Sequence, residues 1–256
     1  MTDFTHLDNA PLINTECQFE WDTRNGSVAI KPDDLREAIG RDQNYNDPIF
    51  EWLIPKNLMD SADDDTPLFR VTYKSSDTVY KLILTKCAAN IRCDSSYETW
   101  QEFRAQALGY QRMLRSIVPN DLVLDNIVLR YVDAYTKDLL QEKTPAEFLR
   151  EDLQVDINLP DSVHRILDEG SNESFFIKNL MELPNSRRVQ LSIGAAQVRP
   201  QEDDASKSID AAVCDIIAMK YNISKTINSD DILDDLHGIQ HNLFAALTKP
   251  IQTRLR

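Results

Sequence analysis

Hydrophobic and polar positions recur along this chain with two periods, and the changes of period mark its elements. In Glu16-Cys-Gln-Phe-Glu-Trp21 the period is two, and Cys17, Phe19 and Trp21 share one side, which predicts a strand with one buried face. Pro32 followed by Asp33, Asp34, Leu35, Ala38 and Ile39 predicts a short helix that carries acids in its first turn and Gly40 near its stop. From Arg41 to Pro67 the pattern breaks, around three prolines and the acidic run Asp60-Ser-Ala-Asp-Asp-Asp65, and this stretch reads as a solvated loop. It lacks the alternating oxygen ligands and the glycine of an EF-hand calcium loop.

Phe69–Lys74, Val79–Thr85 and Ala88–Cys93 then predict three short strands, the first two joined by Ser75-Ser76-Asp77, in an antiparallel meander. Over Tyr97–Val118 the spacing changes to threes and fours, and Trp100, Phe103, Ala107, Tyr110, Leu114 and Ile117 line the core face of a helix. Ser95 or Ser96 is placed to cap it and Pro119 to end it. Leu122–Ala134 returns to a strand, with Leu124, Val128 and Val132 on a face that also carries Arg130.

Pro145–Leu149 predicts a helical turn, followed by a polar, irregular stretch to Ser174. Phe175–Leu183 and Arg187–Val198 predict a hairpin about Pro184-Asn185-Ser186, and Ile209–Tyr221 a third strand after the acidic loop Pro200–Ser208. A closing helix starts at Ser229, with Asp230 and Asp231 complementing its dipole, a face of Ile232, Leu236, Ile239, Leu243, Ala246 and Leu247, and Pro250 as its stop. Residues 1–144 and 145–256 thus each deliver strands and one long amphipathic helix, an α+β pattern with antiparallel sheets in two halves, or in one continuous domain.

Composition narrows the function classes. The chain has 256 residues, 42% of them apolar, enough for a core. No apolar run approaches the ~20 residues that span a bilayer, and the N-terminus lacks a basic and apolar leader, so a cytoplasmic protein with no membrane contact is expected. Cys17, Cys87, Cys93 and Cys214 form no Cys-x-x-Cys pair and read as small hydrophobes. A net charge of −14, with basic residues clustered only at Arg187-Arg188 and at Arg254 and Arg256, argues against direct nucleic-acid binding.

No phosphate-binding glycine loop, no Gly-x-Ser-x-Gly elbow and no His-Glu-x-x-His motif occurs, and no cofactor is implied. His237 and His241, one helical turn apart, have the spacing of two metal ligands, with Asp234 a turn away and no identifiable third ligand. A solvated helical face explains them as well. His6 and His164 fall in expected loops. Within apolar strands, Asp133 follows Arg130-Tyr131, and Asp215 lies between Cys214 and Ile216. Carboxylates in such settings serve as general acids when burial perturbs them, or as partners of a base. Arg130, Tyr131, Asp133 and Asp215 are therefore the candidate ligand-binding residues, and no catalytic residue is identified. A guanidinium on a core face needs a carboxylate, so Arg130 is expected to be a buried anchor paired with Asp215, or an anion-binding residue if its face opens to a cleft.

Pro11-Leu-Ile-Asn, Gln18-Phe-Glu-Trp21, Tyr97-Glu-Thr-Trp100-Gln-Glu-Phe103, Leu129-Arg-Tyr-Val132 and the closing Leu236-His237 with Phe244 and Thr248 stand in an order that resembles a sporadically distributed prokaryotic family of uncharacterised proteins of about 250 residues. The resemblance implies an intracellular prokaryotic protein with no assigned reaction. Its patchy distribution suggests an accessory, toxin–antitoxin or antiviral-defence gene. Absent motifs and an acidic surface together point to a non-catalytic binding protein that recognises a protein partner. The alternative is a small-ligand sensor or enzyme with its site between the two halves.

Overall fold

A computed structural model describes residues 10–21, 30–41, 46–75, 77–94, 96–117, 123–155, 176–198, 208–223 and 229–255. The fold is α+β, and its nine strands form one antiparallel sheet in place of a sheet per half. They are β1 (Leu12–Trp21), β2 (Asn46–Trp52), β3 (Phe69–Ser75), β4 (Thr78–Leu84), β5 (Ala88–Cys93), β6 (Leu124–Tyr135), β7 (Phe176–Leu183), β8 (Arg187–Val198) and β9 (Ile209–Lys220). Their order across the sheet is β2-β3-β4-β5-β1-β6-β9-β8-β7, and the pairing of β6 with β9 makes the sheet continuous across residue 144. The described helices are α1 (Pro32–Arg41), α2 (Trp100–Ile117), α3 (Lys137–Leu140), α4 (Pro145–Glu147), α5 (Ser229–Thr248) and α6 (Gln252–Leu255).

Period-two alternation divides the sheet into an inner and an outer face. Cys17, Phe19 and Trp21 of β1 point inward, as do Ile91 and Cys93 of β5 and Ile127 and Leu129 of β6, all nearly inaccessible. The α2 stripe covers this face through Phe103, Ala107, Tyr110 and Leu114, and Tyr110 and Phe103 meet the rings of Tyr73 and Tyr80. Trp100, the first residue of the stripe, is only half-buried and leans on α5 instead of the sheet. The outer face keeps cross-strand polar ladders. Arg92 donates to Asn14 at 2.7 Å and to Asp94 at 2.9 Å, Lys81 pairs with Asp94 at 2.8 Å, and Asn126 donates to Glu20 at 2.7 Å. A sheet with one wet face needs only one layer of helices.

Four details differ from the sequence expectation. The stretch read as a loop contains β2 and a 3-10 turn, Lys56–Ser61. Proline is tolerated on an edge strand, and Pro48 lies where the β2–β3 register shifts, between Asn46 and Ile49. The α2 cap is Thr99, whose hydroxyl accepts from the Glu102 amide at 3.2 Å, whereas the Ser96 hydroxyl accepts from Val79 of β4 at 3.3 Å. Along α5 the buried line runs through Ile232, Leu233, Leu236 and Gln240, while Ile239 is half-buried and Ala246 exposed. Finally, Arg130 lies on the outer face, since the helices cover the alternate residues Ile127 and Leu129. His6, His164, Ser95 and the Pro200–Lys207 part of the acidic loop lie outside the described residues.

Candidate functional site

The four strand candidates divide between the two faces of the sheet. Arg130 and Asp215 meet on the outer face, where the guanidinium donates two hydrogen bonds to the carboxylate, both at 2.9 Å, with Glu16 at 3.7 Å. The expected pairing is present, but the Arg130 side chain is 39% exposed. It is an anchor at a wet surface, and the buried reading is corrected. The Asp215 carboxylate and the backing charge of Glu16 both hold Arg130 in its charged form.

Tyr131 and Asp133 point the other way, under the helices. Tyr131 is half-buried, and the desolvation of its hydroxyl, with Tyr97 beside it, holds its phenol in the protonated form. Its Oη and His237 Nδ1 share a hydrogen bond at 3.1 Å, and the Tyr97 hydroxyl is 3.5 Å from Oη on the β5 side. The indole of Trp100 stacks on the His237 ring, with centroids 4.1 Å apart and planes within 9°. Trp100 Nε1 also donates to Asp234 at 3.4 Å, and Arg104 donates two bonds to the same carboxylate, at 2.7 and 2.9 Å. Residues of α2, β6 and α5 therefore close one polar seam across the inner face. Burial, with His241 one turn away, pushes the His237 imidazole down to about 4, so it is neutral at pH 7. An imidazole with its δ nitrogen engaged and one face covered by indole is held in place more than it is poised to move protons.

That seam also changes the reading of the two histidines. The ring centroids of His237 and His241 are 6.0 Å apart, and His237 turns toward Tyr131 and Trp100. Among the described residues no group of three or more His, Cys, Asp or Glu side chains is placed to hold a metal ion.

Two residues beyond Tyr131, Asp133 is 3% exposed, and no donor among the described residues meets its carboxyl. Desolvation, and then the charge of Asp215 across the strand, raise it to about 7. Two further buried oxygens near Tyr131 have no partner among the described residues. Thr15 Oγ1 lies on β1 at the position paired with Tyr131, and Gln240 Oε1 belongs to an amide whose nitrogen donates to the carbonyls of Leu129 at 2.8 Å and Ile216 at 2.9 Å. Buried cysteines complete this face, with Cys214 opposite Asp133, and burial raises their thiols, that of Cys93 to about 11. Such thiols are inert. Thr15, Tyr97 and Gln240 carry no sequence signal of their own; each becomes visible only once the strand register and the phase of α5 are known.

The outer ends of the sheet carry exposed apolar groups that the sequence reading also missed. Ile49 (62% exposed), Leu53 and Leu58 (50%) fall within ten residues of one another at the β2 end. Directly after them come Asp60, Asp63, Asp64 and Asp65, all exposed, and no cation among the described residues meets their carboxylates. Lys86 approaches this segment only through the backbone carbonyls of Asp60 and Ala62. Arg187 and Arg188, the basic pair, are bound to Asp235 and Glu182. No described helix is long and apolar enough to cross a membrane. Compared with known proteins, the chain matches no family model and no curated sequence.

Proposed function

We propose that this chain is a non-catalytic binding protein that recognises a basic protein partner, in an accessory system of the toxin–antitoxin or antiviral-defence kind. The observation that carries the reading is the β2 end, where Ile49, Leu53 and Leu58 are exposed beside a run of aspartates that no cation among the described residues meets. Large apolar side chains gathered on a soluble surface are characteristic of interaction sites. The adjoining negative charge selects a positively charged partner and speeds its approach. The supporting test is affinity capture from the cells that naturally express the chain, comparing the wild type with a Leu53→Ser/Leu58→Ser double variant. The reading expects a basic protein that the wild type retains and the variant loses; retention by both would sink it.

A second reading, a small-ligand sensor or enzyme, is favoured by one observation. Around Tyr131, Thr15 Oγ1 and Gln240 Oε1 are buried with no partner among the described residues, and the buried Asp133 carboxyl meets no described donor. Polar atoms in that position suit a small polar ligand. A metabolite retained through purification and lost in Gln240→Leu would support this reading over the first.

A further inference from the structure

The two edges of the sheet differ. At β2 the edge is protected, because Pro48 lacks an N–H and the register shift at Asn46/Ile49 bends the strand. At β7 it is not. Phe176–Leu183 pairs with Gly194–Arg187 of β8 without a register shift, and no described strand pairs with its other side. The turn behind it holds the hairpin rigidly, with Asn185 and Ser186 in the left-handed region at φ 62° and 52°. The strand also presents Phe176, 66% exposed, and Leu180, 56% exposed, on the outer face. A regular, apolar edge of this length is a template for another strand.

The sequence of the edge indicates which strand. We infer that β7 pairs antiparallel with β7 of a second copy of this chain, about a two-fold axis through Leu180. Residues directly opposite each other in an antiparallel pair share a face. In this register Leu180 meets Leu180, and Lys178 meets Glu182 of the partner subunit twice, all on the outer face. Phe176 lies against the partner's Pro184, and on the inner face Ile177 meets the partner's Leu183. Lys178 is exposed and has no acid partner among the described residues, while Glu182 takes Arg188 at 2.6 Å and the Tyr221 hydroxyl at 3.0 Å and keeps lone pairs for a further donor. One register thus satisfies the charge of Lys178, covers the exposed leucine and pairs the edge amides, and a two-fold interface needs this self-complementarity. The result is a dimer with one continuous sheet and a β2 end at each extremity. This inference does not rest on the proposed function.

Analytical ultracentrifugation of the full chain tests it. The expected wild-type mass at high concentration is about 59 kDa, twice the monomer's 29.4 kDa. Leu180→Lys sets two ammonium groups face to face on the axis, and Lys178→Glu sets two pairs of carboxylates together. Each weakens the dimer at least about tenfold, while the exposed positions leave the monomer folded by circular dichroism. A wild type that stays monomeric at about 200 µM overturns the inference. So does a dimer that neither variant weakens.

Discussion

Asp133 is a carboxylic acid in an environment far from the ordinary one for its kind. Its carboxyl is buried with no donor among the described residues and holds its proton up to about pH 7, whereas in the unfolded chain it ionises near pH 4. Between those values the native state binds the extra proton, so this group's contribution to stability falls as pH rises through that window and is level above it. Asp133→Asn removes the dependence. Thermal melts are expected to show the variant gaining on the wild type from about pH 5 to about pH 7 and holding level above that; a constant offset throughout would contradict the burial. Arg130 is the opposite case. Its bidentate pair with Asp215 stands at a wet surface, and exposed pairs contribute about 1 kcal/mol or less. Arg130→Lys should therefore move the melting midpoint by no more than a few degrees, and a loss of about 3 kcal/mol would restore the buried reading of this residue.

Among the elements, the seam between α2 and α5 depends on Trp100 and His237 more than on the sheet beneath them. Trp100 is half-buried, so Trp100→Ala should cost about 1–2 kcal/mol, short of the ~3–5 of a fully buried indole. The same change opens His237 to water, and an NMR titration should show its imidazole rising from about 4 toward the ordinary value near 6.5. For a depressed histidine, the unfolded chain takes up the proton first. Its contribution to stability is present above about pH 6.5 and is lost as pH falls toward about 4, and Trp100→Ala should soften that acid limb. An unmoved titration would mean that the sheet, not the indole, desolvates the ring.

The element scale is also where the sequence was most and least legible. The α2 stripe and the meander β3–β5 could be read because one face is apolar and the other is not. In β6 both faces are largely apolar, Ile127 and Leu129 on one and Val128 and Val132 on the other, so alternation alone could not say which the helices cover. On α5, Gln240 occupies a core position because its amide bridges carbonyls of β6 and β9, and a search for apolar residues passes over it. β2 was hidden by Pro48, which is compatible only with an edge. The seam was therefore half visible: Tyr131 and His237 could each be singled out, but not their contact, which depends on the register of one and the helical phase of the other.

For the whole molecule, both proposed contacts lie at the ends of the sheet, β2 on one side and β7 on the other. In the proposed function, a basic protein docks at the β2 end, on the exposed apolar groups and the aspartates after Leu58, which no cation among the described residues meets. Binding there should weaken with salt, while the inferred β7 pairing, made by backbone hydrogen bonds, should respond less. The chain purified at low salt from the cells that naturally express it, and weighed by native mass spectrometry, tests this most directly. The expected spectrum holds a complex with a basic protein that separates as ammonium acetate is raised. A spectrum holding only this chain, with a small molecule or metal ion retained on it and no second protein, would contradict it and favour the buried site around Tyr131.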